Sequence, residues 1–202
     1  MKKGENFNHP PKGSHITVEP IRSLRDVKKI KAMLADKPRD LALFVAGINT
    51  NLRASDLLRL KASDFLYSVP GDDLVLIEQK THKKRRITIN RAVWEAVTNW
   101  LNSAPAGLFE NEGSPLFPGR GGRPLSVPSV NGLVKGWCRA AGLRGNFGSH
   151  TLRKTFGHIQ GVHFRTPLPL LMRAFNHSNE QMTMSYLAIQ PDDLKEVYLK
   201  EI

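Results

Sequence analysis

The sequence predicts a mainly α-helical domain with one small antiparallel β-hairpin, an α+β fold. Three observations lead there. After residue 20, apolar residues recur at helical spacing in segment after segment, and these segments open on a capping Ser or Asn or on a proline. Only the region around residues 74–90 shows β-type runs, split by a polar, basic stretch that fits a turn. Apolar residues make up 40% of the 202 positions, enough to bury a sizeable core.

Residues 1–20 are polar and carry Pro10, Pro11 and Pro20, which reads as a flexible, extended arm. Ser23 is expected to cap a helix through Ala35, with Asp26 three residues on and Val27, Ile30, Met33 and Leu34 as its apolar stripe. Pro38 opens a second helix to Ile48. Its run Leu41-Ala-Leu-Phe-Val-Ala46 is apolar all round, so this helix belongs in the centre of the core. Asn49-Thr-Asn51 breaks it, and Ser55 is expected to cap a short helix from Asp56 to Lys61. The turn Pro70-Gly-Asp-Asp73 leads into the strand Leu74–Ile77, and the alternation of Arg86-Ile-Thr-Ile-Asn90 gives its partner. Between them Lys80-Thr-His-Lys-Lys-Arg-Arg86 forms a basic tip. Asn90 caps a helix to Ser103, and Ser126 with Pro128 opens one to Ala141, closed by Gly142. Further helices are expected over His150–Gly161 and Pro167–Phe175, then after Asn179 through Tyr186, and from Leu194 to the end with Val197, Tyr198 and Ile202 on its apolar face.

The charge narrows the function. Net charge is +12, with an isoelectric point near 10.1. A balance so basic points to a polyanionic partner, nucleic acid ahead of anionic membrane. The single cysteine, Cys138, excludes an internal disulfide. No apolar run is long enough to span a bilayer, and Met1-Lys-Lys-Gly-Glu-Asn6 lacks the apolar centre of a secretory signal, so a cytoplasmic protein is expected.

The candidate site lies in the last third of the chain. His150-Thr-Leu-Arg153 puts two basic side chains one helical turn apart, His177 follows, and Tyr186 comes nine residues later. Singly these residues say little. Chance supplies a second His-x-x-Arg at His82 and Arg85, and a lone tyrosine more often packs than reacts. Lys80 alone is a solvated hairpin lysine, and Arg53 alone is a cation at the end of an apolar helix.

In order, however, Asn51-Leu-Arg53 with Asp56, Lys80 on the hairpin, His150-x-x-Arg153, His177 and Tyr186 resemble the catalytic domain of the tyrosine recombinases, the phage integrase family. The resemblance covers residues 20 to 202 and implies that family's catalytic-domain fold over 21–202. Many members of the family also carry an N-terminal core-binding domain; here only about twenty residues precede the catalytic domain, and no separate core-binding domain is expected. The resemblance also implies a metal-free, cofactor-free and ATP-independent reaction on double-stranded DNA. Tyr186 would attack a phosphodiester to form a 3′-phosphotyrosyl link, Arg53, Arg153 and His177 would hold the phosphoryl oxygens, His150 would orient the phosphate or manage the phenol proton, and Lys80 would protonate the leaving 5′-oxygen. Asp56 would brace Arg53 or His150 from behind. Lys83, Lys84, Arg85 and Arg86 would contact the DNA backbone, with Arg59 and Lys61. A homotetramer on DNA is expected, with the last helix packed either in cis or on a neighbour. Four positions depart from the family pattern: Asn51 and Asn176 stand where glycine is usual, Asp56 where glutamate is, and Lys154 where histidine is. Asn176 is expected to change the local turn, since Asn accepts positive φ less freely than Gly. The alternative function is a DNA-binding regulator or accessory protein that keeps the fold without turnover. A weaker one is a phosphotransfer or RNA-processing enzyme.

Overall fold

The structure is a computed structural model and describes residues 18–189, 195 and 197–201. The polar arm, apart from residues 18–20, lies outside the described residues, as does most of the predicted last helix. Of that helix's apolar face, Val197 and Tyr198 are exposed in the single chain, so Tyr198 is not packed in cis.

Eight helices and one hairpin make up the described chain, in the predicted order. α1 (Leu24–Met33) starts at Ser23, whose hydroxyl accepts the Arg25 N–H. α2 (Pro38–Asn49) follows, and its residues Ala42 to Ala46 are all but fully buried, as the unbroken apolar run required. α3 (Ala54–Leu57) differs from expectation: it starts two residues early, with Arg53 in the extended N-cap position instead of Ser55, and ends at Leu57 short of Lys61. A 3-10 turn at Ala62–Asp64 then leads toward β1 (Asp73–Ile77), antiparallel to β2 (Lys84–Thr88). The second strand begins two residues before the predicted Arg86.

The hairpin register pairs Leu74 with Ile87 and Leu76 with Arg85 on the inner face, and Val75 with Arg86 and Ile77 with Lys84 on the outer face. α4 (Arg91–Ser103) is capped by Asn90, whose Oδ1 accepts the Val93 N–H. α5 (Val127–Ala140) is capped by Ser126, and α6 (Ser149–His158) runs on into a π-type turn at Ile159–His163. α7 (Leu168–Phe175) and α8 (Glu180–Leu187) complete the described elements.

The main core gathers one face each of α1, α4 and α5 around α2, with Leu152 of α6 reaching in. Gly47 lets α2 and α6 approach closely, because a Cβ there would lie 2.6 Å from the Leu152 Cδ1. A smaller cluster of Leu171, Phe175 and Leu187 ties α7 and α8 together, with Phe156 and Tyr186 packed against it. α6 therefore serves both cores. No helix among the described residues is long and apolar enough to cross a membrane.

Candidate active site

Arg53, His150, Arg153, His177 and Tyr186 come from four segments of chain and converge at the seam between the two cores. The Tyr186 hydroxyl lies 3.3 Å from His150 Nε2. Its ring sits 5.3 Å from the His177 ring, and the Arg153 guanidinium carbon is 5.6 Å from its centroid. Arg153 is 1% exposed and is fixed by main chain on two sides. Its Nη1 donates to Asn51 O at 2.6 Å and its Nη2 to Phe175 O at 3.0 Å, while Phe175 lies under the guanidinium. The fork is thus rigid, and its buried Nε has no partner among the described residues. An orphaned buried donor costs about 1–3 kcal/mol, which an incoming anion would offset.

The electrostatics favour an anion. Burial first, then the cations of Arg85 and Arg53, push Arg153 down to about 10. Burial, Arg153 and Arg53 push His177 down to about 4, so it is neutral at pH 7. Burial and the charges of Arg153, Arg53, Lys154 and Lys80 lower His150 as well. Each cationic form is disfavoured by the others, so a phosphate would relieve all of them at once. His177 is held from behind by Thr183, whose hydroxyl lies 3.1 Å from Nδ1.

Both asparagines that stand where glycine is usual adopt the left-handed conformation: Asn51 has φ 55°, and Asn176 has φ 59°, ψ 35°. The turn before His177 is therefore kept, with the His177 N–H bonded to Met172 O at 3.0 Å as in a helix C-cap. Asn51 adds what glycine cannot, a side-chain bond from Nδ2 to Ala174 O at 3.0 Å.

Glu78 is the residue that sequence reasoning missed. It is fully buried at the end of β1 and receives Arg53 Nη1 at 2.9 Å, Arg85 Nη1 at 2.8 Å and the Thr81 hydroxyl at 2.6 Å. Burial alone would raise its carboxyl. The hydrogen bonds from Thr81, Arg85 and Arg53, with the Arg53 charge, outweigh that and hold it at about 2. Glu78 thus does what was expected of Asp56. Asp56 makes no hydrogen bond or ion pair to Arg53 or His150 among the described residues: its Oδ1 accepts the Gln79 N–H at 2.8 Å, and its buried Oδ2 has no hydrogen-bond partner there. It pins the turn that carries Lys80.

Arg85 also corrects the sequence reading. It is buried rather than poised for DNA, bound to Glu78 and, through Nη2, to Ala174 O at 2.7 Å. The period-two pattern of Ile87 and Ile89 extended back by one step puts Arg85 on the inner face, and that signal was present in the sequence. Lys83, Lys84 and Arg86 are exposed on the tip. Lys80 is exposed in the turn, with no ion pair among the described residues, and is near enough for its charge to act on His150. Gly157 of α6 gives Tyr186 its place: a Cβ there would lie 2.9 Å from the Phe175 Cζ and 3.1 Å from the Tyr186 Cβ and O.

Known proteins are similar to this chain over most of its length. The family model described as the phage integrase family matches residues 21–192. The probable integrase/recombinase YoeC of Bacillus subtilis (strain 168) is 37% identical over 186 residues, covering 90% of this chain and 95% of that protein. The tyrosine recombinase XerC of Caldanaerobacter subterraneus is 27% identical over 165 residues, which are 81% of this chain but only 45% of that protein. Among solved structures, XerA recombinase superposes with a TM-score of 0.73 at 20% identity, over 94% of this chain and 65% of that one. XerH site-specific recombinase bound to palindromic difH substrate, a post-cleavage complex, gives 0.74 at 20% identity, over 94% and 54%. The chain therefore spans nearly all of YoeC and about half to two thirds of these larger recombinases.

Proposed function

This chain belongs to the phage integrase family, and from that premise we propose that it cuts and rejoins DNA strands as a tyrosine-type site-specific recombinase. The observation that carries the proposal is the phenol of Tyr186 set against buried, mutually repelling cations, beside an unused Arg153 donor. That arrangement sets a nucleophile beside donors suited to one phosphodiester.

In the proposed reaction the Tyr186 oxygen attacks phosphorus and the bond to the 5′-oxygen breaks. The enzyme keeps the 3′-phosphate as a tyrosyl ester, and the 5′-oxygen leaves as a hydroxyl after taking a proton from Lys80. Arg53, Arg153 and neutral His177 hold the phosphoryl oxygens by N–H donation, doing the charge neutralisation that other phosphoryl-transfer sites assign to metal. His150, 3.3 Å from the phenol, takes its proton or orients the phosphate. A 5′-hydroxyl from a second duplex reverses the steps and completes the exchange. Asp56 fixes the Lys80 turn, and Lys83, Lys84 and Arg86 grip the DNA backbone. The partners are double-stranded DNA and further copies of the chain, a tetramer at the exchange stage, in the cytoplasm.

The test uses nicked duplexes built from inverted repeats in the DNA flanking the protein's own coding region. The wild-type protein forms a covalent adduct that survives denaturant. Tyr186→Phe forms none, yet still shifts the duplex in a gel. An adduct from Tyr186→Phe overturns the assignment of the nucleophile. Binding without any wild-type adduct favours the regulator.

A further inference from the structure

We propose that Arg22 is a positioning residue for the nucleophile, clamping the end of the helix that carries Tyr186; the inference rests on the recombinase reading above. α8 has only eight residues, of which Thr183 and Leu187 are buried. A helix that short does not hold its own place in water, so the setting of Tyr186 depends on what grips its ends. Its last carbonyls have no partner within the helix. Two of them are taken by side chains from elsewhere. Leu187 O accepts from His158 Nδ1 at 2.6 Å, and Ala188 O accepts from Arg22 Nη1 at 2.7 Å. A cation at that end also opposes the helix dipole favourably.

Arg22 is itself held. Its carbonyl accepts from His163 Nε2 at 2.7 Å. The strap that carries it is tied down by Glu19 N–H to Asn146 O at 2.8 Å and by Ile21 N–H to the Thr155 hydroxyl at 2.9 Å, with the Ile21 side chain fully buried. Thr155 and His158 both belong to α6, and His163 lies in the turn that continues it. α6 also bears His150, Arg153 and Gly157, the residue that admits the Tyr186 backbone. The clamp therefore refers the end of α8 to the same helix that holds the phosphate-binding groups. Arg22 closes it from the opposite side, across 166 residues of sequence. The N-terminal approach to the domain is thereby joined to the position of the phenol two residues before Ala188.

Arg22→Ala and Arg22→Lys test this on the full chain with the same nicked duplexes. At saturating DNA, Arg22→Ala should form adduct about tenfold more slowly, while duplex affinity changes less than about twofold; Arg22→Lys, which keeps one donor, should recover part of the rate. Amide hydrogen exchange over residues 183–188 should quicken in Arg22→Ala and not in α4. An unchanged adduct rate in Arg22→Ala, or unchanged protection of 183–188, overturns the proposal, as does a rate loss matched by an equal loss of affinity. If the wild-type protein forms no adduct, the recombinase reading fails separately. The exchange result then decides the clamp alone: lost protection upholds it and unchanged protection rejects it.

Discussion

Replacing Glu78 by Gln keeps the side-chain volume and removes one buried charge that two arginines share. Its carboxyl sits at about 2 against an ordinary 4.5. At about 1.4 kcal/mol per unit that depression is worth about 3 kcal/mol, and deleting one partner of a buried ion pair costs about 3–5 kcal/mol. Against a total stability of about 5–15 kcal/mol the variant still folds. Its urea midpoint should fall by about 1–2 M. The sign with pH is fixed by the direction of the shift. A depressed carboxyl contributes stability that is present above 4.5 and lost as pH falls toward 2. The wild-type protein should therefore lose about 2 kcal/mol of this contribution by pH 3, and Glu78→Gln should lack that part of the acid slope. Arg53, freed from its anchor at 2.9 Å, no longer meets a phosphate in a fixed pose. Adduct formation should slow by about ten- to a hundredfold. Urea titrations at pH 6 and pH 3, with adduct rates at pH 7.5, check both effects. A variant with the wild-type midpoint, acid slope and rate would refute the view that Glu78 organises Arg53.

Three further outcomes follow from particular contacts. Arg86→Ala should weaken duplex binding and flatten its salt dependence by about one phosphate contact, because Arg86 is exposed; Arg85→Ala, which empties a buried ion pair, should instead lower the thermal midpoint, as calorimetry would show. His177 is held at about 4, below its ordinary 6.5, so the folded protein binds fewer protons than the unfolded chain between those values. That contribution to stability falls as pH drops through the window, and His177→Asn should remove this slope from urea midpoints taken at pH 7, 5.5 and 4.5. Asn176→Gly should leave stability within about 0.5 kcal/mol, since glycine also accepts φ 59°, whereas Asn176→Ala should cost about 1–2 kcal/mol in the same titrations.

Local physics was legible in the sequence. Ser23, Asn90 and Ser126 cap the helices they were expected to cap, because a cap is made by a side chain and an N–H two or three residues away. The central place of α2 followed from its composition, since a helix that is apolar all round has nowhere else to go. The ordered series Arg53, Lys80, His150, Arg153, His177 and Tyr186 pointed to the family, and the fold brings Arg53, His150, Arg153, His177 and Tyr186 together with the Lys80 charge in reach of His150. What the sequence could not reveal was which acidic side chain serves Arg53. Asp56 stands three residues from Arg53 along the chain and Glu78 twenty-five, so the sequence favours Asp56 as the partner. Only the hairpin's register decides that Glu78 turns inward to Arg53 and Arg85, while Asp56 ends on the Gln79 N–H. The same holds for Arg22, whose partner Ala188 is 166 residues distant. Periodicity and capping are short-range effects that a chain carries with it. The choice of partner for a buried charge or an orphaned carbonyl is made by packing, and exists only once distant segments are in contact.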